Sequence, residues 1–191
     1  MKRFYPIFLI TVYIFLSGCY SVKTIRDSQY KNILLSETIA TSPLDDFTVQ
    51  VPFNWFNTKD PEVLTNSIWL VHDNYSGVIS IQKITQLNKL HGDTRSTLLQ
   101  LAKADLVLQK RKHPHNFRIV IPQKLYKNNK IIYSAYEFIY DDEKYSRVII
   151  RELNGDFFKL VAYTTKLGSN EFSLLELFSA QESVCLSLRK N

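Results

Sequence analysis

The sequence predicts an α+β domain, an antiparallel sheet of about six to seven strands covered by two main helices. Three observations carry this prediction. Four apolar-rich runs follow one another between residues 117 and 165, separated only by short polar turns, which is the pattern of an antiparallel meander. Two other stretches, 93–112 and 170–189, place their apolar residues at helical spacing, as a helix with one buried stripe does. Within the meander, a two-residue loop at Asn154-Gly155 pairs Ile149 with Leu160 and Val148 with Val161. Those pairs point to opposite faces, so both faces of the sheet carry apolar side chains and both need cover.

The elements follow in order. Phe47-Thr48-Val49-Gln50-Val51 alternates as a strand does and stops at Pro52, which has no N–H to donate. Ser67 to His72 forms the second strand through Ile68, Trp69, Leu70 and Val71. Asp73-Asn74-Tyr75-Ser76-Gly77 is dense in turn formers, and Val78 to Ile84 returns as the third strand. Asp93 or Thr94 caps the first helix by accepting backbone N–H groups left without a partner. Leu98, Leu99, Leu101, Ala102, Leu106 and Leu108 make its apolar face. Lys110, Arg111 and Lys112 meet the negative end of its dipole, and Pro114 bars continuation. The meander runs through Phe117–Tyr126, Lys130–Tyr140, Tyr145–Leu153 and Phe157–Thr165. Its turns are Asn128-Asn129, the charged Asp141-Asp142-Glu143-Lys144, and Asn154-Gly155, which suits the positive φ of a tight hairpin. In the closing helix, Leu174, Leu177, Phe178, Val184, Cys185 and Leu188 form the stripe. Gln181 interrupts it, which marks a possible break near Ala180.

The chain's front end has three parts: a basic start at Lys2 and Arg3, a short apolar stretch from Phe4 to Leu16, and Leu16-Ser17-Gly18-Cys19. The apolar stretch is shorter than the roughly 20 residues that span a bilayer. This arrangement resembles the bacterial lipoprotein signal, the lipobox, with Leu16, Ser17, Gly18 and Cys19 at its four positions. The resemblance implies a division into a signal peptide (residues 1–18), a lipidated cysteine and tether (19–45), and a single α+β domain (46–191). It also implies two or three acyl groups on Cys19, and two or more chains anchor a protein stably. Tyr20, where an Asp often signals inner-membrane retention, favours the outer membrane facing the periplasm if the cell has two membranes. Removal of residues 1–18 leaves 173 of 191 residues and takes Lys2 and Arg3, so the formal charge falls from +6 to +4. The basic pI of 9.2 therefore owes part of its value to a segment the mature chain lacks. Acylation consumes Cys19 and leaves Cys185 as the remaining thiol, in an apolar helical pattern that fits core filling. The polar run 20–45 reads as a flexible tether with a reach of roughly 28 Å. Ile33, Leu34, Leu35 and Ile39 are an alternative there, a short helix packed back on the domain.

Composition narrows the class further. Charged residues at 22% and aromatics at 13% are globular values and exclude a disordered chain. Two cysteines exclude a disulfide scaffold and a structural zinc site built from cysteines. The element order then resembles the PsbP-like α/β/α sandwich, a group that includes PsbP extrinsic subunits, a Ran-binding nuclear import factor and DcrB-type bacterial lipoproteins. The residues that carry the likeness are Val51-Pro52-Phe53-Asn54-Trp55, where that group often has Pro-x-Gly-Trp, with Trp69, Gly77, Asn154-Gly155 and the closing helix. The resemblance spans residues 46–188. It implies an adaptor or assembly role and no shared catalytic residues.

The densest cationic group is Lys110, Arg111, Lys112, His113 and His115, with Arg118 close behind. It reads either as a contact for phosphate headgroups or an acidic partner, or as a solvated helix end. Two histidines without a carboxylate are too few for a metal. Asp141-Asp142-Glu143 lacks the spacing and the Gly of a calcium loop and reads as a solvated turn. No Gly-x-Ser-x-Gly elbow, Ser-x-x-Lys signature or Gly-rich phosphate loop is present. The expected function is a membrane-anchored, non-enzymatic interaction, adaptor or assembly module of the cell envelope. Its expected partners are the membrane, through acyl groups on Cys19, and an envelope protein; no cofactor, metal or nucleic acid is expected. Two alternatives stand beside it, an envelope hydrolase and a carrier of a small apolar ligand in an aromatic-lined cleft.

Overall fold

Eight strands form the main sheet of the computed structural model, which describes residues 24–44, 46–58, 67–85, 93–141, 144–165 and 173–191. Along the chain come β1 (Ile25–Asp27), β2 (Leu35–Thr41), β3 (Phe47–Pro52), β4 (Trp55–Thr58), β5 (Ser67–His72) and β6 (Gly77–Ile84). Helix α1 (Thr94–Lys112) follows, then β7 (Arg118–Asn128), β8 (Ile131–Tyr140), β9 (Lys144–Leu153), β10 (Asp156–Thr164), helix α2 (Leu174–Ser187) and β11 (Arg189–Lys190). The main sheet has the order β1-β7-β8-β9-β10-β6-β5-β4. Its neighbours are antiparallel except β1 and β7, which run parallel. A second, antiparallel sheet has the order β11-β3-β2. The α+β class and the two covering helices are those the sequence predicts; the strands are more numerous.

The meander has the expected register. Leu160 lies opposite Ile149 and Val161 opposite Val148. At the hairpin tip, Asn154 (φ 53) and Gly155 (φ 84) both take the positive φ that the tight turn demands. A Cβ at Gly155 would meet nothing within 4 Å, so conformation alone favours glycine there. The two faces build two cores. Leu98, Ala102 and Leu106 of α1 pack on Leu125, Tyr136, Phe138, Val148 and Ile150. On the other face Leu177, Phe178, Val184 and Cys185 of α2, with Phe47, Val49 and Val51 of β3, pack on Ile79, Ile81, Ile149, Phe158 and Leu160. Each such side chain contributes about 1.5–3 kcal/mol by leaving water, which makes the two-sided cover the main source of stability.

The Asp93 cap matches the sequence; the Ser173 cap is a further finding. Asp93 accepts from the Ser96 N–H at 2.7 Å and starts α1, and Ser173 accepts from the Leu175 N–H at 3.2 Å and starts α2. Asn54, which stands where the resembled group has glycine, takes φ 64. Asn is among the few non-glycine residues that tolerate this region.

Three expectations are corrected. First, the stretch 20–45 is not a tether or a short helix from Ile25 onward: β1 pairs with β7, and β2 pairs with β3. The strands are short, polar and partly exposed, and their partners supply the order that their own sequence does not. Second, α2 runs unbroken past Ala180. Gln181 is fully buried, and its amide donates to the Arg147 carbonyl at 2.9 Å and the Leu160 carbonyl at 3.0 Å. Third, Leu108 is half exposed, because the buried stripe of α1 is narrower and consists of Thr97, Leu98, Ala102 and Leu106. The signal peptide, Cys19, Asp142 and Glu143 lie outside the described residues.

The cores predict a loss of stability in alkali. Burial raises the Cys185 thiol from 9.0 to about 12 and the Tyr140 phenol from 10.0 to about 12. Tyr133 and Tyr136 are also raised, by burial first and then by the charges of Glu182 and Asp105. The folded chain therefore keeps protons that the unfolded chain releases above about pH 9. Stability should be insensitive to these groups below that pH and should fall from about pH 9 to about pH 12. Thermal unfolding should show a midpoint that declines across this window. Ionisation of the buried phenols Tyr133, Tyr136 and Tyr140 should accompany unfolding rather than precede it.

Candidate interaction surfaces

The cationic residues singled out in the sequence gather at one end of the sheet. Lys110, Arg111 and Lys112 occupy the last turn of α1, all exposed. His113 caps the helix, with its N–H donating to the Gln109 carbonyl at 3.1 Å. Its Nδ1 stands 3.0 Å from an Asp141 carboxylate oxygen, and its ring lies 4.3 Å from that of Tyr140. His115 is exposed on the connection, and Arg118 opens β7, opposite Ile139 at the end of β8. The structure thus separates the six by role: His113 turns inward to Asp141, and the other five face solvent. Among the described residues no group of three or more His, Cys, Asp or Glu is placed to hold a metal ion. Leu108, Ile119 and Val120, next to these cations in sequence, are exposed apolar side chains.

Sequence reasoning missed a second constellation, a buried ionic network between the sheet and α2. Arg147 of β9 and Glu182 of α2 have relative exposures of 1% and 0%, and Arg147 Nη2 donates to Glu182 Oε2 at 3.0 Å. Tyr133 Oη donates to the other Glu182 oxygen, as does the Asn128 amide at 3.0 Å. Glu137 stands 3.8 Å from Arg147 Nε and accepts from Tyr30 Oη at 2.6 Å. The Tyr30 ring lies 4.3 Å from the guanidinium carbon of Arg147, and its edge meets Phe178. Burial works against the Arg147 charge, yet Glu182 and the surrounding phenols hold its pKa above the ordinary value. Parity was the available signal. Arg147 and Arg151 share a strand face with the core residue Ile149, and Glu137 shares one with Tyr133 and Ala135.

Two open clefts of about 240 Å³ border this network. Asp27, Ser28, Tyr30, Lys127 and Asn128 line one; Ile33, Gln50, Ser183 and Arg189 line the other; Asn32 and Asn129 are common to both. They offer amides and hydroxyls for hydrogen bonding. In the second cleft Ser183 is committed to backbone, since its Oγ accepts from the Ile33 N–H at 2.8 Å. Of the aromatic side chains, Trp55, Tyr136, Phe138 and Phe158 are buried in the cores, whereas Phe56 and Tyr75 are exposed, their rings 5.9 Å apart and edge to face.

No family model and no curated protein matches the chain. Solved structures do match. The cyanobacterial PsbP of Synechocystis gives a TM-score of 0.53 at 10% identity, over 81% of this chain and 92% of that one. The Saccharomyces cerevisiae Ran-binding protein Mog1p gives 0.54 at 8% identity, over 82% and 96%. At these identities the likeness is one of fold, and the α/β/α sandwich is PsbP-like.

Proposed function

We propose that the chain is a lipid-anchored, non-enzymatic interaction module of a bacterial cell envelope. One observation carries the reading. Ile25, already paired with β7, stands six positions after the lipobox cysteine. An acyl-anchored Cys19 would therefore hold a rigid domain within about 20 Å of its attachment point, rather than trail it on a long tether. Surfaces supplied by amides, hydroxyls and exposed cations suit recognition, and the buried charges are spent on joining α2 to the sheet. The fold shared with a Ran-binding protein supports a protein partner. Metabolic labelling with a fatty-acid analogue, followed by affinity capture of the labelled chain from its own envelope, tests this. The wild type should carry label, sediment with membranes and bring down a protein partner in near-equal amount. Cys19→Ala should lose the label and the sedimentation. Label that persists in Cys19→Ala, or capture of a bound apolar ligand with no protein, would sink the reading.

A further inference from the structure

We infer that the α1–β7 corner, with Lys110, Arg111, Lys112, His115 and Arg118, is the face of the domain that rests on an anionic lipid surface. The inference rests on acylation of Cys19 and adds an orientation to it. Strand direction is the first argument. β1 runs parallel to β7, with Ile25 beside Leu125 and Asp27 beside Lys127. The chain that precedes Ile25 therefore enters from the side of β7 that leads back through Lys124 to Arg118. Arg118 lies opposite Ile139 and Leu125 opposite Ser134, so the bulged β7 brings them to five β8 residues apart, about 17 Å along the sheet. Cys19 lies six residues before Ile25, a reach of about 20 Å. That reach covers the distance, so an acylated Cys19 can lie at the end of the domain that carries the cations.

Charge and exposure are the second argument. The five cationic or titratable side chains are exposed; Lys110, Arg111, Lys112 and His115 lie on or next to the end of α1, Arg118 sits on β7 on the face of Ile139, and Leu108, Ile119 and Val120 are exposed apolar neighbours of these in sequence. Basic residues beside apolar ones are what a headgroup layer over acyl chains receives well. The facing acid among the described residues is Asp141, and His113 stands against it at 3.0 Å; Asp142 and Glu143 follow it in the sequence. Each basic residue brought to an anionic surface favours the docked pose by roughly fivefold.

The test uses the full acylated chain in vesicles of phosphatidylcholine, with and without a one-third share of phosphatidylglycerol, and reads amide hydrogen exchange over residues 108–120. Exchange there should slow several-fold with phosphatidylglycerol, relative to detergent micelles, and recover in high salt. Lys110→Glu with Arg111→Glu, Lys112→Glu and Arg118→Glu should abolish the slowing while the fatty-acid label and membrane retention persist. The milder set with Gln at the four positions should give an intermediate result, and circular dichroism checks that both fold. A labelled, retained chain whose 108–120 amides exchange as in micelles overturns this inference alone. Equal protection on pure phosphatidylcholine also overturns it, because the contact would then not be electrostatic. Protection that appears only in native envelopes assigns the patch to a protein partner and overturns it as well. A chain without label overturns the anchoring reading and this one together.

Discussion

Glu182→Leu should destabilise the fold by about 3–5 kcal/mol, the range for removing one member of a buried ion pair. The loss strands the Arg147 guanidinium, which is 1% exposed, and removes the acceptor for Tyr133 Oη and the Asn128 amide. Arg147→Met should cost a similar amount, since Glu182 would then keep only neutral donors. The double variant is the informative one. With both charges of the pair gone, only Glu137 has lost its cation, and it still accepts from Tyr30, so the loss should fall short of the summed single losses by at least about 1 kcal/mol. It should not return to wild type, because Tyr133 and Asn128 still lack their acceptor. Urea unfolding of the four chains measures the cycle. Additive losses would show that the pair is not coupled across the interface between β9 and α2.

Removal of the N-terminal strands should have a comparable effect. A chain that begins at residue 46 loses β1 and β2, so β7 and β3 both become open edges. It also loses Tyr30, which donates to Glu137 and covers the Arg147 guanidinium, and the Ile33 N–H that satisfies Ser183. A loss of at least about 3 kcal/mol is expected from the uncovered charges, together with association through the bared strands. A chain that begins at residue 24 should keep the full stability. Equal urea midpoints for the two truncations would show that β1 and β2 merely lie on the domain.

Much of the architecture was legible because its signals are local. The hairpin at Asn154-Gly155 fixes the β9–β10 register through backbone conformation alone, and Asp93 sets the start of α1 by one hydrogen bond. β1 and β2 were not legible, because Ile25-Arg26-Asp27 has no alternation to read and its partner lies in β7. The break expected in α2 failed for a related reason. A glutamine in an apolar stripe looks like an interruption until a strand supplies two carbonyls for it. The cationic corner was visible as a run of charge at a helix end. The parallel pairing of β1 with β7 is a fact about the sheet that no window of sequence contains.

That pairing also governs the order in which the molecule can be completed. Ile25 waits for Leu125, about a hundred residues on, and Ile33 waits for Ser183, at a separation of 150. The first strands to be synthesised are thus among the last to be placed. Closing such long loops is slow compared with forming the β7–β10 meander, whose neighbours are joined by short turns. The meander can form while β1 and β2 still wait, and the exposed edges of β3 and β7 define the interval in which a chaperone has most to protect.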